Sequence, residues 1–344
     1  MPLQQVVTRA YDPSTRRPAD GGAAAELAAR MPRLIARAKE IAASVAHGLH
    51  GRRRAGAGET FWQYRPFMPG EAAHRIDWRR SARSDHYYVR EREWEAARDY
   101  LVWMDCSPSM AFASSLAADY KLDRAVTLGL ALADVLVRGG ERAGALGLSA
   151  PISARDVIDR LARALDAGAD DAIRTELPPA ARLRARTRLA LISDFLCDPD
   201  ALAARLEEFA DAGATGALLM IADPSEETLP FAGETRFLDT DGGPSFHAGD
   251  PNALRRAYVE KLGEHRARLR EAAGRAGFVF LSHHTDRPAA EGLLALAMAL
   301  LDHAAFGQDR PSADNVIDSK SLERALREKP ASTFSQRAPG GERL

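Results

Sequence analysis

From about residue 96 onward, two patterns of apolar residues alternate along the chain. Short, nearly unbroken apolar runs occupy Tyr100–Met104, Ala143–Leu148, Leu189–Ile192, Ala217–Ile221 and Val279–Ser282. Between them, apolar residues recur at helical spacing near Ala117–Val137, Ala154–Leu165, Pro199–Ala210 and Leu254–Ala273, with a last helical run over Ala289–His303. A strand that is apolar on both faces is covered on both faces, and strands joined through helices run parallel. The pattern predicts an α/β domain over residues 99–303, a doubly wound and mostly parallel sheet between helical layers.

The upstream third reads differently. Leu27, Met31, Leu34, Ile35, Ala38 and Ile41 fall at helical spacing and predict an N-terminal helix over 23–51, with Gly48 and Gly51 as stops. Residues 52–98 are aromatic, β-prone and arginine-rich, with a turn at Pro69-Gly70, and predict a small β-rich subdomain. So small a β unit buries too little to fold alone, so it is expected to fold against the α/β domain. Trp62, Tyr64, Phe67 and Trp78 are candidates for its core, and Asp77 for pairing with Arg79, Arg80 or Arg83. Residues 1–22 read as a polar, flexible arm, and 304–344 as a tail with one short helix over Ser319–Arg327.

Composition narrows the setting. The 344 residues are 46% hydrophobic, enough for a sizeable core, and the net charge of −1 gives no global pull toward nucleic acid. Two cysteines, Cys106 and Cys197, make no disulfide framework and fit a reducing compartment. The first twenty residues lack an apolar core of signal-peptide length, and no apolar run reaches the about 20 residues of a membrane span. A soluble cytoplasmic protein is the expectation.

The candidate chemistry lies in "LVWMDCSPSMA", Leu101–Ala111. Asp105, Ser107 and Ser109 alternate at the carboxyl end of the first strong strand, where ligands of open α/β sheets bind. Alternate residues of an extended loop point the same way, so one carboxylate and two hydroxyls can converge. These are hard oxygen ligands suited to Mg²⁺ or Mn²⁺. "LALISDFLCD" adds Asp194 after a later strand, and "DDAIRTEL" adds Thr175. The competing reading of Asp105, Ser107 and Ser109 is capping of the following helix, and that of Asp194 is capping near Pro199.

Enzymatic readings are less well marked. Gly56-Ala57-Gly58 is followed by no Lys-Ser/Thr and preceded by no strand, so it is no phosphate loop. Ser107 with His283 or His284 and Asp194 has the members of a hydrolase triad, but without the G-x-S-x-G elbow. Carboxylates near Cys106 would raise its thiol pKa rather than activate it.

The order D-x-S-x-S, then threonine, then a later aspartate resembles the metal-ion-dependent adhesion site of von Willebrand factor A domains. The segment "GAGETFWQYRPFMPGEAAHRIDWRRSARSDHYYVREREWEA" is similar to the signature of the bacterial family catalogued as domain of unknown function 58. The matching residues are Gly58, Glu59, Phe61, Arg65, Phe67, Gly70, Glu71, Arg75, Ile76, Asp77, Trp78, Ser81, Ala82 and Arg83, and the resemblance runs from about residue 45 to about residue 300. Arg174 stands before Thr175 where the family often has glycine. The resemblance implies a von Willebrand factor A-like fold and a metal site of Asp105, Ser107, Ser109, Thr175 and Asp194. It also implies a protein partner, a MoxR-type AAA+ ATPase or its client, in a chaperone-like system. Arg75, Asp77, Trp78 and Arg83 are the candidate partner contacts. The expected role is binding rather than catalysis, with a metal-assisted hydrolase at the same edge as the alternative.

Overall fold

The structure is a computed structural model, and it describes residues 22–52, 61–68, 71–73, 76–84, 86–92, 97–117, 119–168, 175–233, 235–237 and 246–302. Outside these residues lie the expected arm up to residue 21, the tail from residue 303 with its short helix, and Arg75. The elements are α1 (Gly22–Arg52), β1 (Phe61–Pro66), α2 (Trp78–Ser81), β2 (Tyr88–Arg92), β3 (Asp99–Met104), α3 (Lys121–Arg138), β4 (Arg142–Ala145), α4 (Val157–Ala167), β5 (Arg188–Ser193), α5 (Pro199–Asp211), β6 (Thr215–Ala222), α6 (Pro224–Thr228), β7 (Thr235–Phe237), β8 (Phe246–Ala248), α7 (Pro251–Arg275), β9 (Phe278–His284) and α8 (Ala289–Asp302).

Five strands form one parallel sheet in the order β4-β3-β5-β6-β9. Because strand side chains alternate, each strand feeds two cores. Tyr100, Val102 and Met104 of β3, with Ala190, Ile192, Ala217, Leu219 and Ile221 of β5 and β6, pack under α1, α3, α4 and α8. Trp103, Leu189, Leu191, Leu218 and Met220 pack under α5 and α7 with Leu202, Leu206, Phe209 and Leu269. This is a doubly wound α/β fold, parallel throughout its central sheet.

The N-terminal helix belongs to the first of these layers. Leu27, Met31, Leu34, Ala38, Ala42 and Val45 of α1 are buried against the core. Arg30 pairs with Asp123 at 3.0 Å, Arg37 with Asp119 at 2.7 Å and Lys39 with Asp159 at 3.0 Å. With α1 outside it and the sheet inside, α3 is almost wholly buried. Gly129 permits its close approach, since a Cβ there would lie 2.3 Å from Met104 Sδ.

Residues 61–92 form a separate small unit, the antiparallel pair β1–β2 with α2 between its strands. Among its described residues the buried ones are Ile76, Val89 and Ser81. None of its described residues belongs to either large hydrophobic cluster. Of the expected aromatic core, Tyr64 and Trp78 lie outside, Phe67 is half-buried, and the side chain of Trp62 falls outside the described residues. Trp78 and Tyr87 are each 59% exposed and meet edge to face at 5.9 Å, and Tyr64 is exposed. A two-stranded ribbon has room inside for Ile76 and Val89, which face each other across an antiparallel bridge, and leaves the large rings outside. Asp77 caps α2, with Oδ1 accepting from Arg80 N–H at 3.0 Å and Oδ2 from the Tyr64 hydroxyl at 3.4 Å. The guanidinium of Arg80 instead lies over the rings of Tyr64 and Tyr88, 5.4 and 5.7 Å from their centroids.

Among the described residues no helix is long and apolar enough to cross a membrane.

Candidate functional site at the carboxyl edge of the sheet

The chain leaves β3, passes through α3 to β4 on one side, and returns through α4 to β5 on the other side. The crevice between β3 and β5 is therefore the point where strand order reverses, the usual ligand position in open α/β sheets. Asp105 and Asp194 follow those two strands. The Asp105 N–H donates to Ile192 O at 2.9 Å, which fixes one loop against the other strand.

Asp105 is fully buried. Its Oδ1 accepts the Ser107 N–H at 2.7 Å, and its Oδ2 accepts the Ser193 hydroxyl at 2.5 Å. Burial, and then the charge of Asp194, push its carboxyl up to about 6. Ser107 and Ser109 bring their hydroxyl oxygens within 3.1 Å of each other across a short 3-10 turn, Pro108–Met110. The two hydroxyls meet through this turn and not through the extended alternation expected from the sequence. Part of the capping alternative is present, since Asp105 closes a local turn onto the N–H of Ser107, the residue that opens Pro108–Met110. Ser107 makes no side-chain cap bond, and α3 starts only at Lys121, after Tyr120.

Asp194 is also buried, and it does not cap α5, whose cap is Asp198. Its Oδ1 accepts the Leu196 N–H at 3.2 Å, and its Oδ2 receives the ammonium of Lys121 at 2.9 Å. Phe195, next along, is a buried non-glycine residue at φ 49°, a strained turn that holds Asp194 at the strand end. Lys121 is 1% exposed, and its Nζ also lies 2.5 Å from Glu226 Oε1. Burial opposes its charge, but Asp194 and Glu226 outweigh burial and hold the ammonium above its ordinary pKa.

Glu226 and Asp223 form a capping box on α6 after β6. Glu226 Oε2 accepts the Asp223 N–H, and Asp223 Oδ1 accepts from Ser225. Asp223 Oδ2 accepts the Ser114 N–H at 2.9 Å, so the loop after β3 is tied to the end of β6. Thr175 stands apart from this set. It is exposed, and its hydroxyl donates to Leu177 O at 2.8 Å. Its neighbour Glu176 lies within electrostatic reach of Cys197, whose thiol is raised to about 12 by burial, then by Glu176, Asp105 and Asp194.

A profile described as protein of unknown function DUF58 matches residues 63–268, more than half of the chain. The chain belongs to the DUF58 family. Uncharacterised proteins of Mycobacterium bovis and of two Mycobacterium tuberculosis strains are each 28% identical to it over 285 residues, 76% of this chain and 86% of the relative. No solved structure matches.

The DUF58 match spans every candidate ligand and also Lys121, Asp223 and Glu226, which sequence reasoning missed. Asp-Pro-Ser-Glu directly after an apolar run is a capping-box signal and would have marked Asp223 and Glu226. Lys121 carried no signal, because a lysine at the start of a helix reads as solvated.

The two histidines face elsewhere. His283 is buried, with Nε2 2.9 Å from Arg124 Nη1, and burial, Arg124 and His284 lower it to about 3, so it is neutral. His284 lies 3.2 Å from Glu227.

Among the described residues no group of three or more His, Cys, Asp or Glu could hold a metal ion. A site here rests on hydroxyls. Asp105 is a buried carboxylate with no Lys, Arg or His paired to it among the described residues, next to two serine hydroxyls. That donor set fits a hard divalent ion, with Asp105, Ser107 and Ser109 as its holders.

Proposed function

We propose that this DUF58 protein is a non-catalytic, metal-dependent protein-binding module. Its fold is read as von Willebrand factor A-like, and its working surface as the carboxyl edge of the sheet. The observation that carries this reading is the corner made by Asp105, Ser107 and Ser109 in the β3–β5 crevice, a buried carboxylate without a cation beside two converging hydroxyls. Mg²⁺ or Mn²⁺ held there would supply a positive point for a carboxylate of a partner. Asp105 contributes charge, Ser107 and Ser109 contribute neutral oxygens, and Ser193 fixes the Asp105 carboxylate in place. The engagement of His283 by Arg124 and of His284 by Glu227 supports binding over hydrolysis, since neither ring is poised on Ser107.

The exposed Trp78–Tyr87 pair, with exposed Arg83 nearby in sequence, is the second proposed contact face. Aromatic and arginine side chains are over-represented at interface hot spots, and this pair is left outside by its own subdomain. The partner proposed from the family resemblance is a MoxR-type AAA+ ATPase or its client, acting with this protein in the cytoplasm as a chaperone-like pair.

The test is capture of a MoxR-type AAA+ ATPase. Wild type should retain it in Mg²⁺ and release it in EDTA. Replacing Ser107 and Ser109 together with alanine should abolish capture while leaving the circular dichroism spectrum unchanged. Capture by the double variant at wild-type affinity would refute the metal-bridged mode and shift the interface to Trp78 and Arg83.

A further inference from the structure

A buried lysine inside a proposed cation site needs an explanation. Lys121 is brought in by the first turn of α3, is 1% exposed, and lies within 2.9 Å of Asp194 and 2.5 Å of Glu226. A lysine is almost never fully buried unless paired. Here the pairing uses carboxylates from two different loops, one after β5 and one on α6. Both oxygens of Asp194 are in use, Oδ2 by the ammonium and Oδ1 by the Leu196 N–H. Both oxygens of Glu226 are in use as well, by the ammonium and by the Asp223 N–H. Asp105 differs, because its donors are a backbone amide and a hydroxyl, both neutral.

We infer that Lys121 is a resident cation that withholds Asp194 and Glu226 from an incoming divalent ion. This rests on the metal-binding reading above and deepens it. The ligands this chain offers are then one carboxylate, Asp105, and two hydroxyls, Ser107 and Ser109. Asp194 then acts as the counter-ion of the lysine and not as a ligand. Two consequences follow from elementary electrostatics. The ammonium repels a divalent ion at close range, so the free protein holds that ion weakly. The short ligand set also leaves positions that a partner's carboxylate fills, so metal and partner bind cooperatively, each raising the affinity of the other by the same factor. Lys121 is thus a positioning residue that makes the site depend on its partner.

Mn²⁺ titration followed by electron paramagnetic resonance tests this on the full chain, with circular dichroism as the folding control. Lys121→Met removes the charge at similar length and frees Asp194. Its Mn²⁺ affinity should rise by about tenfold or more, and adding Asp194→Asn should cancel the gain. Unchanged or weaker binding by folded Lys121→Met overturns the inference. Should that variant not fold, Asp194→Asn alone decides. As the lysine's counter-ion its loss shifts wild-type affinity by less than about fivefold, whereas loss of a true ligand costs about tenfold or more. Silence in wild type with binding in Lys121→Met supports complete exclusion by the lysine. Silence in wild type and in both variants removes the metal reading itself, an outcome distinct from binding that ignores Lys121.

Discussion

The two ends of the central sheet use the same kind of ion pair in opposite ways. At the carboxyl end Lys121 is closed off between Asp194 and Glu226. At the amino end Asp99, the first residue of β3, meets Arg142 at 2.6 Å and Arg184 at 3.6 Å, and Arg184 is 80% exposed. A cavity of about 580 Å³ opens there, lined among others by Asp99, Arg142, Arg182, Arg184 and Thr187. Arg184 keeps water around most of its surface, so its charge costs little to hold and its pairing contributes little. The carboxyl end has given up that water. Lys121, Asp194 and Glu226 neutralise one another there, whereas the buried carboxylates of Asp105 and Asp223 meet no Lys, Arg or His among the described residues. The contrast separates a solvated charged face from a built site better than a count of charges would.

The largest expected effect lies at the buried pair. Lys121→Ala leaves Asp194 and Glu226 buried without their cation and should cost about 3–5 kcal/mol of stability, read from urea unfolding at pH 7. A loss of under about 1 kcal/mol would mean that the pair is as well solvated as its amino-end counterpart, and the comparison would fail.

The next effect is a pH dependence carried by the carboxyl end of β9. His283 is held neutral, its pKa lowered to about 3 by burial, Arg124 and His284. The unfolded chain takes up this proton as pH falls through about 6.5, while the folded chain refuses it until about 3. Stability should therefore fall as pH drops through that window, by roughly 2–3 kcal/mol between pH 6 and pH 4 from this group. In His283→Gln that part of the slope should vanish. An unchanged slope in the variant would assign acid lability to other groups.

The smallest effect belongs to the amino end. Arg184→Ala should change stability by less than about 1 kcal/mol, because its pair with Asp99 is long and exposed. A loss rivalling that of Lys121→Ala would make the amino-end groove a structural core rather than a solvated face.

The legible features are those set by local pattern. The strands stood out because both faces of each are buried, so β3, β5 and β6 read as nearly continuous apolar runs. The closeness of Ser107 and Ser109 was legible in their spacing, although a 3-10 turn and not an extended loop brings their hydroxyls together. What failed depended on distant packing. The second run was expected to continue to Leu148, but β4 ends at Ala145, where Gly147 at φ 77° and the Ser149 hydroxyl bonded to Ala145 N–H turn the chain. Trp78 read as core because a tryptophan usually is, yet its subdomain has only a narrow inner face. Lys121 was invisible because burial of a lysine is decided by two carboxylates more than seventy residues away.

The central claim is that Asp105, Ser107 and Ser109 make a divalent-cation corner at the carboxyl end of the sheet. The most direct measurement is Mn²⁺ titration of wild type beside Asp105→Ala and the Ser107→Ala/Ser109→Ala double variant, in the presence of the captured partner. The account predicts one ion per wild-type chain and loss of at least about tenfold in affinity in both variants. Equal Mn²⁺ binding by all three proteins, or no binding by wild type even with its partner, would contradict it.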